Sequence, residues 1–180
     1  MAFQVGVTVI HPSYGAGVIT EIKERRSLGA GKRYYSIELL GDPGTIVMVP
    51  LGNEEKVGLR PLISKSGVRH LWRILRAEPM ALPSEHKKRY AVVEDKLRDG
   101  DVFQIAEAVR DLAWRREETH DLTRVGKRLY ETGLGFLASE LAVVQGSDVH
   151  TAEAQIAERL GPTSPALRRE RTEGIVYRRG

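Results

Sequence analysis

Hydrophobic and polar residues follow a period of two near the start of the chain and a period of about 3.6 from residue 63 onward. From Val5 to about Pro61, the β-branched and aromatic runs TVIH, VITEIKER, KRYYSIELL and TIVMVP have strand length and are separated by turn residues. Tyr35, Ile37 and Leu39 alternate with Tyr34, Ser36 and Glu38, the pattern of a half-buried strand. Gly15-Ala16-Gly17, Leu28-Gly29-Ala30-Gly31 and Gly41-Asp42-Pro43-Gly44 read as hairpin turns. Short strands in so few residues must curl to enclose a core, which predicts a small β-barrel of SH3 or Tudor type.

After a hinge at Leu62 to Lys65 the pattern predicts an all-α region of about five helices. Val68, Leu71, Trp72 and Leu75 mark one helical face, with Lys65, Arg69, Arg73 and Arg76 along an adjacent one. Glu78 to Pro83, with two prolines, forms a stiff extended loop. Ser84 then caps a helix whose face is His86, Tyr90, Val93 and Leu97, with Lys87, Lys88 and Arg89 beside or opposite it. Asp99-Gly100 ends that helix, and Asp101, with Gln104 in the capping-box position, opens the next, whose stripe is Val102, Ile105, Val109 and Leu112. A fourth helix starts at Thr123, with Gly126, Gly133 and Gly135 arguing against an unbroken run. A fifth covers Thr151 to Leu160 and stops at Gly161-Pro162. The domains expected are therefore 1–62, a barrel; 63–161, helical; and 162–180, a mobile basic tail.

Charge sharpens this picture. The net charge of +4 is small, but the segment from Lys65 to Arg98 carries nine basic and four acidic residues, while 63–161 as a whole balances sixteen against sixteen. The two helices joined at Asp99-Gly100 thus present a rigid edge tipped by cations, and function is expected there. The last nineteen residues add five arginines against two glutamates, a composition suited to nonspecific phosphate contact.

Candidate chemistry is sparse. The chain has no cysteine, which excludes disulfides and thiolate metal sites. Its five histidines are scattered without metal-ligand spacing, and no nucleotide-binding glycine loop or nucleophile elbow occurs. No enzyme, cofactor or metal is expected. No run of apolar residues is long enough to span a bilayer and the N-terminus lacks a signal-peptide pattern, so a cytoplasmic, monomeric protein without membrane contact is expected.

Several stretches taken together resemble one family. FxVGxTVIxPxYGAGVITEI at Phe3 to Ile22, Val49-Pro50, VGLRP at Val57 to Pro61, Leu82-Pro83-Ser84, and KRY followed by KL and GDVFQIAEAVRDL between Lys88 and Leu112 are similar in order and spacing to the CarD/CdnL transcription regulators. The N-terminal part is also similar to the RNA polymerase interacting module of transcription-repair coupling factors. The resemblance implies a Tudor-like domain that holds the RNA polymerase β subunit. It also implies a helical domain that touches promoter DNA at the upstream edge of the bubble and stabilises the open complex, placing the protein on the nucleoid through polymerase. Carried onto this chain, Arg25 matches a polymerase-contacting arginine, and Lys88, Arg89, Lys127 and Arg128 match basic positions facing DNA. Met48 stands where some members have a second polymerase-contacting arginine. His86, flanked by Lys87, stands where a tryptophan commonly wedges the minor groove, and its small ring has less area to set against an unstacked base. Trp72 and Trp114 align elsewhere and are read as core. Two other readings stay open: a polymerase-independent nucleic-acid binder, and a protein adaptor using the basic helical edge.

Overall fold

The computed structural model describes residues 2–24 and 31–161. Five strands come first: β1 (Thr8–His11), β2 (Gly15–Glu24), β3 (Arg33–Leu39), β4 (Ile46–Pro50) and β5 (Arg60–Pro61). They form one antiparallel sheet in the order β4-β3-β2-β1-β5. The sheet is not closed, so the barrel expected from sequence is replaced by an open sheet. Its two edges end in Pro50 and Pro61, which have no N–H to donate across a closing seam.

The central strands behave differently from a half-buried pattern. Tyr34 and Ser36 are buried along with Tyr35, Ile37 and Leu39, so both faces of β3 are largely covered. Gly15-Ala16-Gly17 is not the turn: Pro12 to Tyr14 make it, and the three residues pair in β2 against Ile10 and His11 of β1 and Leu39 of β3. A side chain at Gly17 would come within 2.5 Å of Ile37 Cγ2 and 2.9 Å of the Glu38 carbonyl, so glycine is what lets β2 approach β3. The loop at 41–44 is a hairpin as read, closed by Thr45, which donates its hydroxyl to Asp42 at 2.6 Å. The Leu28 to Ala30 part of the other expected loop lies outside the described residues, as does the tail 162–180.

A small core of Val9, Ile19, Tyr35, Ile37, Val49 and Leu59 fills the sheet's inner face. One carboxylate enters it. Glu54, almost fully buried, accepts from the Tyr35 hydroxyl at 2.9 Å and from the Gly52 N–H at 3.1 Å, and Tyr35 in turn accepts from the Phe3 N–H. Backbone N–H bonds hold the Glu54 carboxyl below the usual glutamate range in spite of its burial.

Five helices follow: α1 (Lys65–Arg76), α2 (His86–Asp99), α3 (Val102–Thr119), α4 (Arg124–Gln145) and α5 (Val149–Leu160). They share a larger core that includes Leu71, Leu75, Val93, Val109, Leu112, Leu137, Leu141 and Ile156. Side-chain caps open four of them: Ser64, Asp101, Thr123 and Asp148 each accept from an N–H of the first turn. The exception is α2, whose N-cap is Glu85 without a side-chain bond, not Ser84 as the sequence led us to expect. The Ser84 carbonyl is instead taken by Arg89, at 3.1 Å from Nη2. Gln104 likewise does not complete a capping box; its amide donates to Asp99.

Helix α4 runs unbroken through its three glycines because packing demands one of them. A Cβ on Gly133 would sit 2.7 Å from Val109 Cγ2 and 3.2 Å from Leu97 Cδ2, so this glycine lets α4 close on α3 and α2. The two tryptophans are half-buried: Trp72 packs at the margin of the helical core with the Arg159 guanidinium 4.0 Å above its ring, and Trp114 is likewise partly exposed.

Candidate nucleic-acid interface

Helix α3 is the axis of the site. Its neighbours α2 and α4 run antiparallel to it, as the contacts of Lys96 with Glu107 and Arg116 with Tyr130 show, so their first turns come together at the C-terminal end of α3. There the Tyr90 hydroxyl of α2 meets Thr123 Oγ1, the cap of α4, and Tyr90 packs beside Gly126. Two helix N-termini, each with the partial positive charge of its unpaired N–H groups, therefore share one tip.

His86, Lys87 and Lys88 are exposed on the first turn of α2, and Lys127 and Arg128 are exposed on the first turns of α4. The two groups, with 38 residues of chain between them, lie on helix starts joined by the contacts of Tyr90 with Thr123 and Gly126. The His86 ring lies 6.3 Å from Tyr90 and is otherwise open to solvent. The cations are not equivalent. Lys88 pairs with Glu85 at 2.8 Å and Lys127 with Asp121 at 2.9 Å, both in exposed pairs, whereas Lys87 and Arg128 have no carboxylate within reach among the described residues. The Lys127 ammonium holds the Asp121 carboxyl below the usual range. Sequence reasoning passed over Arg124, the first residue of α4, which is exposed and borders a groove of about 740 Å³ with Val125, Lys127 and Arg128. Its position just after the cap Thr123 was the available signal.

Arg89 departs from expectation. It is 1% exposed, lying under the fold instead of on the edge. Position 89 shares the face of α2 that packs inward with Val93 and Leu97. Its Nη2 donates to Ser84, and its Nε and Nη1 have no partner among the described residues. Such a side chain cannot reach a phosphate while the helix stays packed. A second buried cation, Arg110, is paired: it donates to Asp111, which also accepts from the Met80 N–H at 3.0 Å. Burial pushes the Asp111 carboxyl up and Arg110 opposes that shift. This pair fixes the loop between α1 and α2, and with it the start of α2.

At the opposite end, the helices are mounted on the sheet. Arg60 of β5 donates Nη1 and Nη2 to the two oxygens of Glu140 at 2.7 and 2.8 Å, and its Nε to the Gly100 carbonyl at 2.9 Å. Glu140, 2% exposed, also accepts from the Ile63 N–H at 2.9 Å. The stretch expected to be a hinge is thus tied to α4. Gly100, at φ 75°, ends α2 against Pro12, where a side chain would come within 2.7 Å. The space left at this joint is about 10 Å³, room for a single water and no ligand.

Met48 is half-buried on the edge strand β4, opposite Ser36, and Arg25 lies outside the described residues. Among the described residues no group of three or more His, Asp or Glu is placed to hold a metal, and no helix is long and apolar enough to cross a membrane.

Comparison with known proteins covers both halves of the chain. Residues 3–63 match the CarD-like/TRCF RID domain and residues 70–157 match the CarD C-terminal domain. YdeB of Bacillus subtilis (strain 168), named as a candidate transcription factor, is 31% identical over 144 residues, which span 80% of this chain and 93% of YdeB.

Proposed function

We propose a polymerase-bound, DNA-touching role for this chain, which belongs to the CarD/CdnL family of transcription regulators. In this reading residues 1–62 hold the β subunit of RNA polymerase, with Arg25 and Met48 in the contact. Residues 63–161 touch promoter DNA at the upstream edge of the bubble and stabilise the open complex. The observation that carries it is the tip where α2 and α4 begin: two helix N-termini, with Lys87, Lys88, Arg124, Lys127 and Arg128 around His86, at the end away from the sheet. Such a tip attracts a phosphate backbone and positions the protein without reading bases, so it acts on many promoters alike. Arg89 is left out of this set because it is buried. His86 hydrogen-bonds an acceptor of the minor groove or a phosphate, in place of a larger wedge.

The test is capture of the β subunit by the full chain, followed by open-complex lifetimes with His86 variants. His86→Trp lengthens the lifetime and His86→Ala shortens it slightly, with melting temperature unchanged in both. Failure to capture the β subunit with DNA binding intact would instead make the chain a polymerase-independent DNA binder.

A further inference from the structure

The outer face of α1 lies outside the tip and is unused by the role above. Lys65, Arg69 and Arg73 follow one another at four-residue intervals, a rise of about 6 Å each, so they form a row along the helix. All three are exposed, while Leu71 and Leu75 on the far side are fully buried, so the helical period itself turns the row outward. The sequence of α1, KSGVRHLWRILR, contains no acidic residue. No carboxylate among the described residues pairs with any of the three; Arg73 instead meets the ring of His70, with Nη2 3.2 Å from Nδ1. Lys88, Arg98 and Lys127, also exposed, each hold a carboxylate, whereas Lys87 and Arg128 at the tip share the row's lack of one among the described residues. The row is also rigid, because Trp72 is stacked under Arg159 of α5 and Gly67 is capped by Ser64.

A one-sign row on a fixed helix repels itself and gains nothing within the protein, since like charges one turn apart on a helix oppose each other. Its complement is a polyanion with regularly spaced charges. Two of the three members are arginines, whose planar fork engages phosphate through two parallel bonds, and the linear spacing fits successive phosphates along a strand better than the scattered carboxylates of a protein surface. We propose that the Lys65, Arg69 and Arg73 face of α1 is a second DNA-backbone contact, separate from the tip and independent of polymerase. It lays the helical domain along a duplex and makes no base contact.

The test uses the full chain and a labelled duplex of arbitrary sequence, without polymerase, titrated over a range of salt. R69Q/R73Q weakens binding roughly three- to tenfold at low salt and lowers the slope of log affinity against log salt by about two, close to one for each lost phosphate contact. The same deficit persists when the tip carries K87Q/R128Q. Arg69→Lys/Arg73→Lys, which keeps the charge, restores the slope. Arg98→Gln, an exposed cation already paired with Asp95, changes affinity less than twofold. The proposal is overturned by an unchanged salt slope in R69Q/R73Q, by absence of duplex binding by the wild-type chain at low salt, or by a deficit in β-subunit capture with unchanged DNA titration. The last outcome would assign the row to an acidic protein surface. Loss of capture alone, with the DNA result as expected, would sink only the polymerase reading.

Discussion

The two ends of the helical unit have opposite electrostatic designs. At the sheet end the two charges of the joint answer each other: Glu140 accepts from Nη1 and Nη2 of Arg60 and from the Ile63 N–H, and Arg60 also donates to the carbonyls of Gly100 and Pro61. At the tip, two helices begin side by side, one lacks a side-chain cap, and Lys87, Arg124 and Arg128 face solvent. The lesson concerns leverage. A closed joint transmits the position of the sheet to the tip, and an open, cationic tip has interactions left over for a partner. Neither end would serve in the other's place.

Breaking the joint has the largest expected effect. Glu140→Ala leaves Arg60 half-buried without its carboxylate and the Ile63 N–H without an acceptor, and we expect a loss of about 3 kcal/mol in denaturant unfolding, in the range for removing one partner of a buried pair. Glu140→Gln should lose less, because its amide oxygen still accepts one bond. An unchanged unfolding midpoint for the alanine variant would mean that the joint is held by packing at Pro12 and Gly100 alone.

Next come the glycines of α4, which ask whether close helix approach is as important as the ion pair. Gly133→Val overpacks the contact with Val109 and Leu97 and is expected to cost about 1–3 kcal/mol. Gly135→Ala, with nothing within 4 Å of the added carbon, should stabilise by up to about 1 kcal/mol through helix propensity. Thermal melts of the two variants should move in opposite directions.

Glu54 tests whether a buried carboxylate within the sheet behaves differently from the one at the joint. Its folded-state pKa is depressed, so its contribution is complete above the ordinary glutamate range and is lost as pH falls through the lower folded value. The stability gap between wild type and Glu54→Gln should therefore be constant above about pH 5 and shrink in acid. A gap that grows on acidification would reverse the assigned sign.

The smallest effects sort the tip cations. Replacing Lys87 and Arg128 with glutamine should weaken open-complex stabilisation more than replacing Lys88 and Lys127, since the latter two must first leave Glu85 and Asp121. Exposed pairs of this kind are weak and screened by salt, so the difference in lifetime should be small and fade as salt rises. Arg89→Met should leave the salt dependence of DNA binding unchanged, because the side chain is buried and its replacement fills the same space. A reduced salt slope in that variant would mean that Arg89 leaves its pocket to meet DNA.

Much of this arrangement was legible in the sequence for a physical reason: local patterning is written in neighbouring residues. The change of period near Leu62, the strands of the sheet, the caps at Asp101 and Thr123 and the glycine end of α2 all follow from side-chain spacing and backbone preference over a few positions. Family motifs, spread through most of the chain, carried the functional class. The tertiary structure alone decided what depends on distant pairing. Arg60 and Glu140 are 80 residues apart, and nothing near either one announces the other. Arg89 reads as one more cation in a run of three, and only the packing of α2 shows that it points inward while Lys87 and Lys88 point out. Closure of the sheet also could not be read from strand count: it depends on whether the edge strands β4 and β5 meet, and here they lie at opposite ends of the sheet. Periodicity fixes which face of an element is apolar; which partner that face meets, and which charges are left outside, is settled only when the elements pack.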